Sequence, residues 1–233
     1  MRKYYTRPCN FYYGNYAKNL IKNKKALPLA GSNNISFDQL EIFERKKGKN
    51  IKNYLYSINE IKKLNKEIKD IVRVDLKRIT TKRNSISKIK FDSPIIMGVL
   101  NITPDSFSDG GLFFDEQKAY KQGESMLNAG ASIIDIGGES TRPGSKVVEE
   151  KEEWKRIENT IKSLKKNFSN IILSLDTRKS YVMQKGIEAG INIINDVSGL
   201  NFDKKSFNLI NSKKIPFILH HMQGTPETMQ NNP

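Results

Sequence analysis

The second half of the chain alternates short apolar runs with amphipathic stretches. The runs cover residues 95–100, 132–136, 171–176, 191–195 and 215–221, and β-branched side chains dominate them. Runs of this length and composition are typical of strands that are buried on both faces of a parallel sheet. Because helical patterns separate them, the order predicts an α/β fold with about five β/α units.

The clearest helical pattern covers residues 149–167. Glutamates crowd its start, where they favour the positive end of a helix dipole. Its apolar positions recur at helical spacing: Trp154, Ile157, Ile161, Leu164 and Phe168. Gly130 and Gly190 each follow a helical pattern, so we expect them to end helices in the left-handed conformation.

Polar side chains stand at or near the ends of the apolar runs, and they help to distinguish two parallel architectures. They are Asn101, Asp135, Asp176, Asn195 and His221. A doubly wound sheet concentrates its site at one switch point, whereas a (β/α)₈ barrel builds its site from many strand ends. The pattern therefore favours the barrel class.

The first 91 residues have a different character. Residues 37–47 show near-helical spacing, and Ser57 with Glu60 forms a capping box that predicts a second helix. The apolar stripe of that helix is Ile61, Leu64, Ile68 and Ile71. Residues 77–91 are polar and basic, which indicates a linker or an edge strand. We therefore predict a basic, helix-containing extension over residues 1–91 and a barrel domain over residues 92–233.

Charge supports this division. The net charge is +15, and residues 1–90 hold 23 Lys and Arg against 7 Asp and Glu, while residues 91–233 hold 17 against 18. A basic segment can bind nucleic acid or an acidic membrane. Because no nucleic-acid motif accompanies the charge, we favour a solvated lysine-rich surface.

No apolar run is long enough to cross a membrane, and Cys9 is the only cysteine, so we expect a reduced, cytoplasmic protein.

The residues themselves suggest chemistry at several strand ends, each with a plainer alternative. Asn101 could offer oxygen to a hard cation and Thr103 could donate to phosphate, although both suit an ordinary loop. Arg142 could bind an anion or pair with Glu139. Asp176 could accept paired N–H groups from a heterocycle or cap the next helix.

Taken in order, the motifs resemble those of dihydropteroate synthases. The similar stretches are NITPDSFSDGG at 101–111, IDIGGESTRPGS at 134–145, LDTRK at 175–179, IINDVSG at 193–199 and HMQGTPETMQ at 221–230. The resemblance implies a (β/α)₈ barrel enzyme of folate synthesis. Such enzymes join 4-aminobenzoate to a hydroxymethyl-dihydropterin pyrophosphate and release pyrophosphate, with Mg²⁺ as cofactor.

The resemblance also implies roles for individual residues. Thr141 and Arg142 are the expected catalytic residues, on a loop that covers the leaving group, and Asn101 is the expected Mg²⁺ ligand. The expected substrate-binding residues are Asp176, Asn195, Thr103, Asp135, Ser140 and Met222. The implied partners are small molecules, without a membrane, and a homodimer is left open.

Some positions depart from the family pattern. Arg178 stands where a small residue is usual, and His220 stands where a Met is expected. The family's later acidic, lysine and Arg-His segments have no counterpart in the 233 residues. We therefore expect an incomplete barrel with little synthase activity by itself. A non-catalytic pterin- or phosphate-binding module and a nucleic-acid-binding protein are the alternatives.

Overall fold

The structure is a computed structural model that describes residues 3–46, 48, 50–103, 112–140, 145 and 147–221. The chain divides into two compact units, Met1–Ser85 and Ile86–Pro233. We keep the domain boundary between residues 91 and 92 as a proposal. In the part of the chain described, no helix is both long enough and apolar enough to span a membrane.

The second unit contains a parallel sheet. Within the described ranges its strands, in sheet order, are β5 (Met97–Asn101), β6 (Ile133–Gly137), β7 (Ile172–Asp176), β8 (Ile193–Asp196) and β9 (Phe217–Leu219). Sequential strands are neighbours throughout, and every described pairing between them is parallel. All five predicted strands are therefore present. Strand β6 is displaced by one residue from its apolar run, and the other four strands are shorter than theirs.

Helices alternate with these strands and cover one face of the sheet. They are α3 (Leu112–Asn128), α4 (Glu150–Asn167), α5 (Ser180–Glu188) and α6 (Ser206–Lys213). Apolar residues of four strands point to the helices and are almost fully buried, and the last of them on each strand are Leu100, Ile136, Leu175 and Ile194. Since side chains alternate along a strand, the residues before and after these lie on the opposite face, called the inner face below.

The ends of two helices follow the expectations from sequence. Glu149 is the N-cap of α4, and its carboxylate accepts hydrogen bonds from the backbone N–H groups of Lys151 and Glu152 at 2.9 and 3.2 Å. Gly130 and Gly190 have φ values of 101° and 96°. Both therefore use the left-handed region that favours glycine, as predicted.

A tight turn precedes the sheet and contributes to the apolar part of the inner face. Ile86 and Ile89 exchange both backbone hydrogen bonds, and the residues between them, Ser87 and Lys88, have φ values of 47° and 71°. Ile89 is buried with Ile133 and Ile193. The turn therefore places an apolar side chain below the strand ends that carry the polar residues.

The first unit is built around an antiparallel sheet. Its elements in chain order are β1 (Tyr4–Tyr13), α1 (Gly14–Lys22), β2 (Leu27–Pro28), β3 (Ile35–Glu44), β4 (Lys52–Ser57), a 3₁₀ helix (Glu60–Lys63) and α2 (Lys66–Thr80). Strand β3 pairs with β1 along one edge and with β2 and β4 along the other. The predicted stripe Ile61, Leu64, Ile68 and Ile71 packs in its apolar core.

The helix predicted over residues 37–47 is wrong, because most of this segment belongs to strand β3. Its local spacing resembled a helix, but its partners are distant in sequence. Tyr5 pairs with Phe43 and Phe11 pairs with Phe37, so a strand rich in aromatic residues provides the ladder. Cross-strand pairs of this kind outweigh a weak local preference.

The second helix of this unit begins later than predicted. Glu60 does accept the backbone N–H of Ser57 at 2.9 Å, but the turn that follows is the short 3₁₀ helix. Helix α2 begins at Lys66, where the side chain of Asn65 accepts the N–H of Ile68 at 3.0 Å. Asn65 is therefore the cap of the longer helix.

Candidate active site

Residues at the ends of four neighbouring strands form one row across the inner face. The ladder aligns Asn101 with Gly137, Gly137 with Asp176, and Asp176 with Asn195. Three of the residues predicted to form a site are thereby brought together. We call Asn101, Gly137, Asp176 and Asn195 the strand-end row.

Gly137 allows the side chains on either side of it to approach. A Cβ atom on this residue would lie 3.3 Å from Asn101 Oδ1 and 3.4 Å from Asp176 Cβ. A larger side chain would fill the space between an amide oxygen and a carboxyl group. The glycine therefore keeps a polar opening in the middle of the strand-end row.

Asp135 lies one layer deeper, two residues before Gly137 on β6, and only 4% of its surface is exposed. Its Oδ2 accepts a hydrogen bond of 2.8 Å from Asn195 Nδ2. Burial raises the pKa of Asp135, although the Asn195 amide acts in the opposite direction. The residue predicted to bind substrate thus already binds a neighbour in the site.

Within the strand-end row, Asp176 has a strongly raised pKa. Burial is the largest cause of a pKa raised to about 7. Four carboxylates add to the effect: those of Asp135, Glu153, Asp196 and Glu139. Near neutral pH, Asp176 therefore exchanges a proton readily and can either donate or accept a hydrogen bond.

Asn195 is held from two sides. Its Nδ2 donates to Asp135, and its Oδ1 lies 2.7 Å from His220 Nε2. His220 follows β9, and its contact with Asn195 was not expected from sequence. The only feature of the sequence that indicated a special role for His220 was its departure from the expected Met.

A buried ion cluster lies beside the row. Glu139 accepts from Lys179 Nζ at 2.8 Å and from Arg178 Nε at 3.2 Å, and Lys179 Nζ also donates to Glu153. All four side chains are buried, so their charges compensate one another away from water. Burial raises the pKa of Glu139, but hydrogen bonds from Lys179 and Arg178 outweigh burial, so the pKa is lower than its ordinary value. We call these four residues the ion cluster.

The ion cluster was only partly visible in the sequence. Glu153 looked like a helix-dipole acid, yet it is fully buried. Arg178, the second departure from the family pattern, also places its guanidinium 4.1 Å from the ring centre of Phe202. Glu139 additionally accepts the backbone N–H of Val148 at 2.8 Å, so its carboxylate joins three parts of the chain.

The remaining predicted site residues either follow the strands outside the strand-end row or lie outside the described residues. Thr103 is half-buried just after β5, and the Ser140 carbonyl accepts a hydrogen bond from Ser145 Oγ. Thr141, Arg142 and Met222 are outside the described residues. Asp196 follows Asn195, and its carboxylate accepts the N–H groups of Ser198 and Leu200 at 2.8 and 3.0 Å, which fixes the turn after β8.

Comparison with known proteins identifies the family. Residues 97–233 match the family described as pterin binding enzyme. The chain belongs to this family. The dihydropteroate synthase of Synechocystis sp. is 44% identical over 136 residues, which are 58% of this chain and 47% of that protein. The dihydropteroate synthase of Escherichia coli is 40% identical over 147 residues, 63% of this chain and 51% of that protein.

Solved structures agree with this membership. The Yersinia pestis dihydropteroate synthase with a sulfonamide drug is 41% identical, with a TM-score of 0.56 over 62% of this chain and 52% of that chain. The Xanthomonas albilineans enzyme with 4-aminobenzoic acid is 38% identical, with a TM-score of 0.55 over 58% of this chain and 49% of that chain. The predicted fold class, about five units of a (β/α)₈ barrel family, is confirmed. The chain spans about half the length of the curated relatives it matches.

Proposed function

We propose that this pterin-binding protein carries out the dihydropteroate synthase reaction of folate synthesis. The observation that carries the proposal is the strand-end row, which aligns Asn101, Asp176 and Asn195 in a chain about 40% identical to enzymes of that name. The proposed substrates are a hydroxymethyl-dihydropterin pyrophosphate and 4-aminobenzoate. The Xanthomonas albilineans enzyme was solved with 4-aminobenzoic acid, which supports the second substrate.

The pterin ring is proposed to bind the polar inner face. Asp176, as a carboxylate, would accept paired N–H groups from the aminopyrimidine edge, and the Asn195 amide would read the neighbouring ring edge. Asp135 lies beside them, and we propose that it contributes through its contact with Asn195. Met222 is proposed to contact the ring.

The leaving group is proposed to bind nearer the rim. Thr103 and Ser140 follow β5 and β6, and together with Thr141 and Arg142 they would bind the pyrophosphate. A cationic side chain there would stabilise the negative charge that grows as the carbon–oxygen bond breaks. The ion cluster supports this region, because Glu139 directly precedes Ser140.

We propose Mg²⁺ as the cofactor, with Asn101 as its protein ligand. Mg²⁺ commonly takes one or two protein oxygens and completes its shell with water and substrate phosphates, so a single amide oxygen such as that of Asn101 is a suitable ligand. When bound, the ion would neutralise charge on the leaving pyrophosphate.

The chemistry then requires mainly positioning. The 4-aminobenzoate nitrogen attacks the methylene carbon, the carbon–oxygen bond breaks with its electron pair passing to pyrophosphate, and the amine loses one proton. The amine is already a nucleophile, so the residues of the row would act by fixing the pterin relative to it.

Pterin binding and turnover of the 233-residue chain test this function separately. We expect Asp176→Ala and Asn195→Ala each to weaken affinity for the pterin pyrophosphate by about tenfold or more, or roughly 1.4 kcal/mol, measured by calorimetry. Asp203→Ala is the matched control, because Asp203 lies outside the row and holds the N–H of Ser180.

The two measurements have different consequences. Unchanged affinity in both site variants would contradict the assignment of the row. In steady-state assays with both substrates, we expect turnover that falls in Asp176→Ala and Asn195→Ala. Binding without any turnover would favour a non-catalytic pterin-binding module instead.

We further propose a cytoplasmic location and a homodimer. The lone, unbridged Cys9 is compatible with a reducing compartment.

Two exposed apolar side chains on β9, Phe217 and Leu219, support association with another apolar surface. Light scattering of the purified chain would measure the number of copies.

A further inference from the structure

We infer that His220 is a positioning residue that fixes the side-chain amide of Asn195. This inference rests on the proposed function, because it gives Asn195 a task in binding the pterin ring. It concerns a residue that departs from the family pattern. It is therefore a feature of this chain and does not follow from the family resemblance.

The first argument is the direction of the hydrogen bonds. Asn195 Nδ2 lies 2.8 Å from Asp135 Oδ2, and an amide nitrogen can only donate. Asn195 Oδ1, which lies 2.7 Å from His220 Nε2, can only accept. His220 must then carry its proton on Nε2, and the amide is held in one of its two orientations.

The second argument is that the backbone of residue 220 passes close to the turn after β8. Gly199 has a φ of 60°, and a Cβ atom on it would lie 2.7 Å from the His220 carbonyl oxygen. The turn that contains Gly199 is itself fixed by Asp196, whose carboxylate accepts two backbone N–H groups. The histidine therefore starts from a defined position next to β8.

The third argument is what a Met would lack. A thioether is only a weak acceptor and offers no N–H group, so it cannot donate to Asn195 Oδ1. The amide would then be held only by Asp135 and could turn over more easily. Because the two ends of an amide present opposite hydrogen-bonding groups, its orientation decides which heterocycle edge Asn195 can read.

The first experiment examines the ligand-free chain by nitrogen-15 NMR. We expect His220 to be protonated on Nε2, and the Asn195 side-chain amide to exchange with water about fivefold faster in His220→Met. A His220 ring protonated on Nδ1 alone, or an Asn195 amide signal unchanged in His220→Met, would overturn the inference. His221→Gln, the neighbouring exposed histidine, is the control and should leave the Asn195 signal unchanged.

The second experiment measures affinity for the pterin pyrophosphate. We expect His220→Met to weaken it by about fivefold, and His220→Gln, whose amide N–H can replace Nε2, to recover most of the loss. In an Asn195→Ala background, His220→Met should have no further effect, and an equal loss in both backgrounds would overturn the inference. If the wild-type chain binds no pterin, the proposed function fails, and the amide signals still decide whether His220 positions Asn195.

Discussion

At the scale of single residues, the carboxyl of Asp176 shows how a site acquires unusual acidity. It lies at the end of a buried strand, and four other carboxylates lie near it. Removing such a group from water disfavours its charged form, and neighbouring negative charges do the same. The result is an acid that takes part in proton exchange near neutral pH.

The raised pKa of Asp176 predicts a pH-dependent stability. Between its ordinary value of 3.8 and about 7, the folded chain binds a proton that the unfolded chain has lost, so stability falls as pH rises through this window. The effect is at most roughly 4 kcal/mol. We expect Asp176→Asn to flatten the fall, measured by urea unfolding between pH 4 and 8.

The control for this prediction has the opposite sign. The pKa of Asp203 is lowered, because hydrogen bonds from Ser180 and Lys205 outweigh its burial. Its contribution is therefore lost only as pH falls below its ordinary value. Asp203→Asn should leave the slope between pH 4 and 7 in place, and a slope equally flat in both variants would contradict the assignment to Asp176.

Lys179 illustrates the cost of one missing charge in a buried cluster. Lys179→Met would leave Glu153 and Glu139 without the ammonium that both contact, and we expect a loss of about 3–5 kcal/mol in the free energy of unfolding. Lys185→Met is the control, since its pair with Glu188 is exposed and contributes at most about 1 kcal/mol. A loss in Lys179→Met no larger than about 1 kcal/mol would contradict a stabilising role of the ion cluster.

At the scale of elements, the sequence was most informative where a signal is local. The five strands and helix α4 were predicted because apolar runs and a capped amphipathic stretch are complete within a few residues. Strand β3 was missed because its stability comes from pairing with β1, over a separation that local periodicity does not reveal.

In the candidate site, too, some features could be predicted from local sequence and others could not. Asp176 and Asn195 could be identified because a polar residue at the end of an apolar run is visible in sequence. The bond between Asn195 and Asp135 joins residues 60 positions apart, and the one between Lys179 and Glu139 joins residues 40 apart. Such contacts depend on which strands become neighbours, and residue types alone do not determine them.

The turn at Ser87 and Lys88 provides a prediction at this scale. Two residues with side chains occupy the left-handed region, where the Asn-Gly sequence is preferred. Because Ser87 Oγ also donates to the Asn192 carbonyl at 3.2 Å, only Lys88 is changed. We expect Lys88→Gly to stabilise the second unit by about 1 kcal/mol, measured by urea unfolding. Lys90→Gly is the matched control outside the turn, and a gain of equal size there would contradict the explanation.

At the scale of the whole molecule, the chain consists of two units with separate apolar cores and very different charge. One core lies between the antiparallel sheet and its helices, and the other lies between the parallel sheet and α3–α6. The excess of basic residues is confined to the first 90 positions. We therefore propose that each unit is an independent domain.

Limited digestion with trypsin tests this independence. The exposed residues 81–85 lie outside helices and strands, and we expect early cleavage after Arg83 to release a fragment that resists further digestion. Mass spectrometry would locate the cut. Because Lys82 is a second trypsin site in this segment, the double variant Lys82→Gln, Arg83→Gln should delay the cut while leaving cuts at other exposed lysines unchanged. Rapid loss of both fragments at equal rates would argue against two domains.

The alignment of the strand-end row also limits how the length of this chain can change. Adding one residue within β7 would shift Asp176 out of line with Gly137 and Asn195 and turn each side chain after the insertion to the other face. Adding several residues between α5 and β8 would leave that alignment intact. Viable insertions and deletions should therefore accumulate in the connections, while the strands that carry Asn101, Asp176 and Asn195 keep a fixed length.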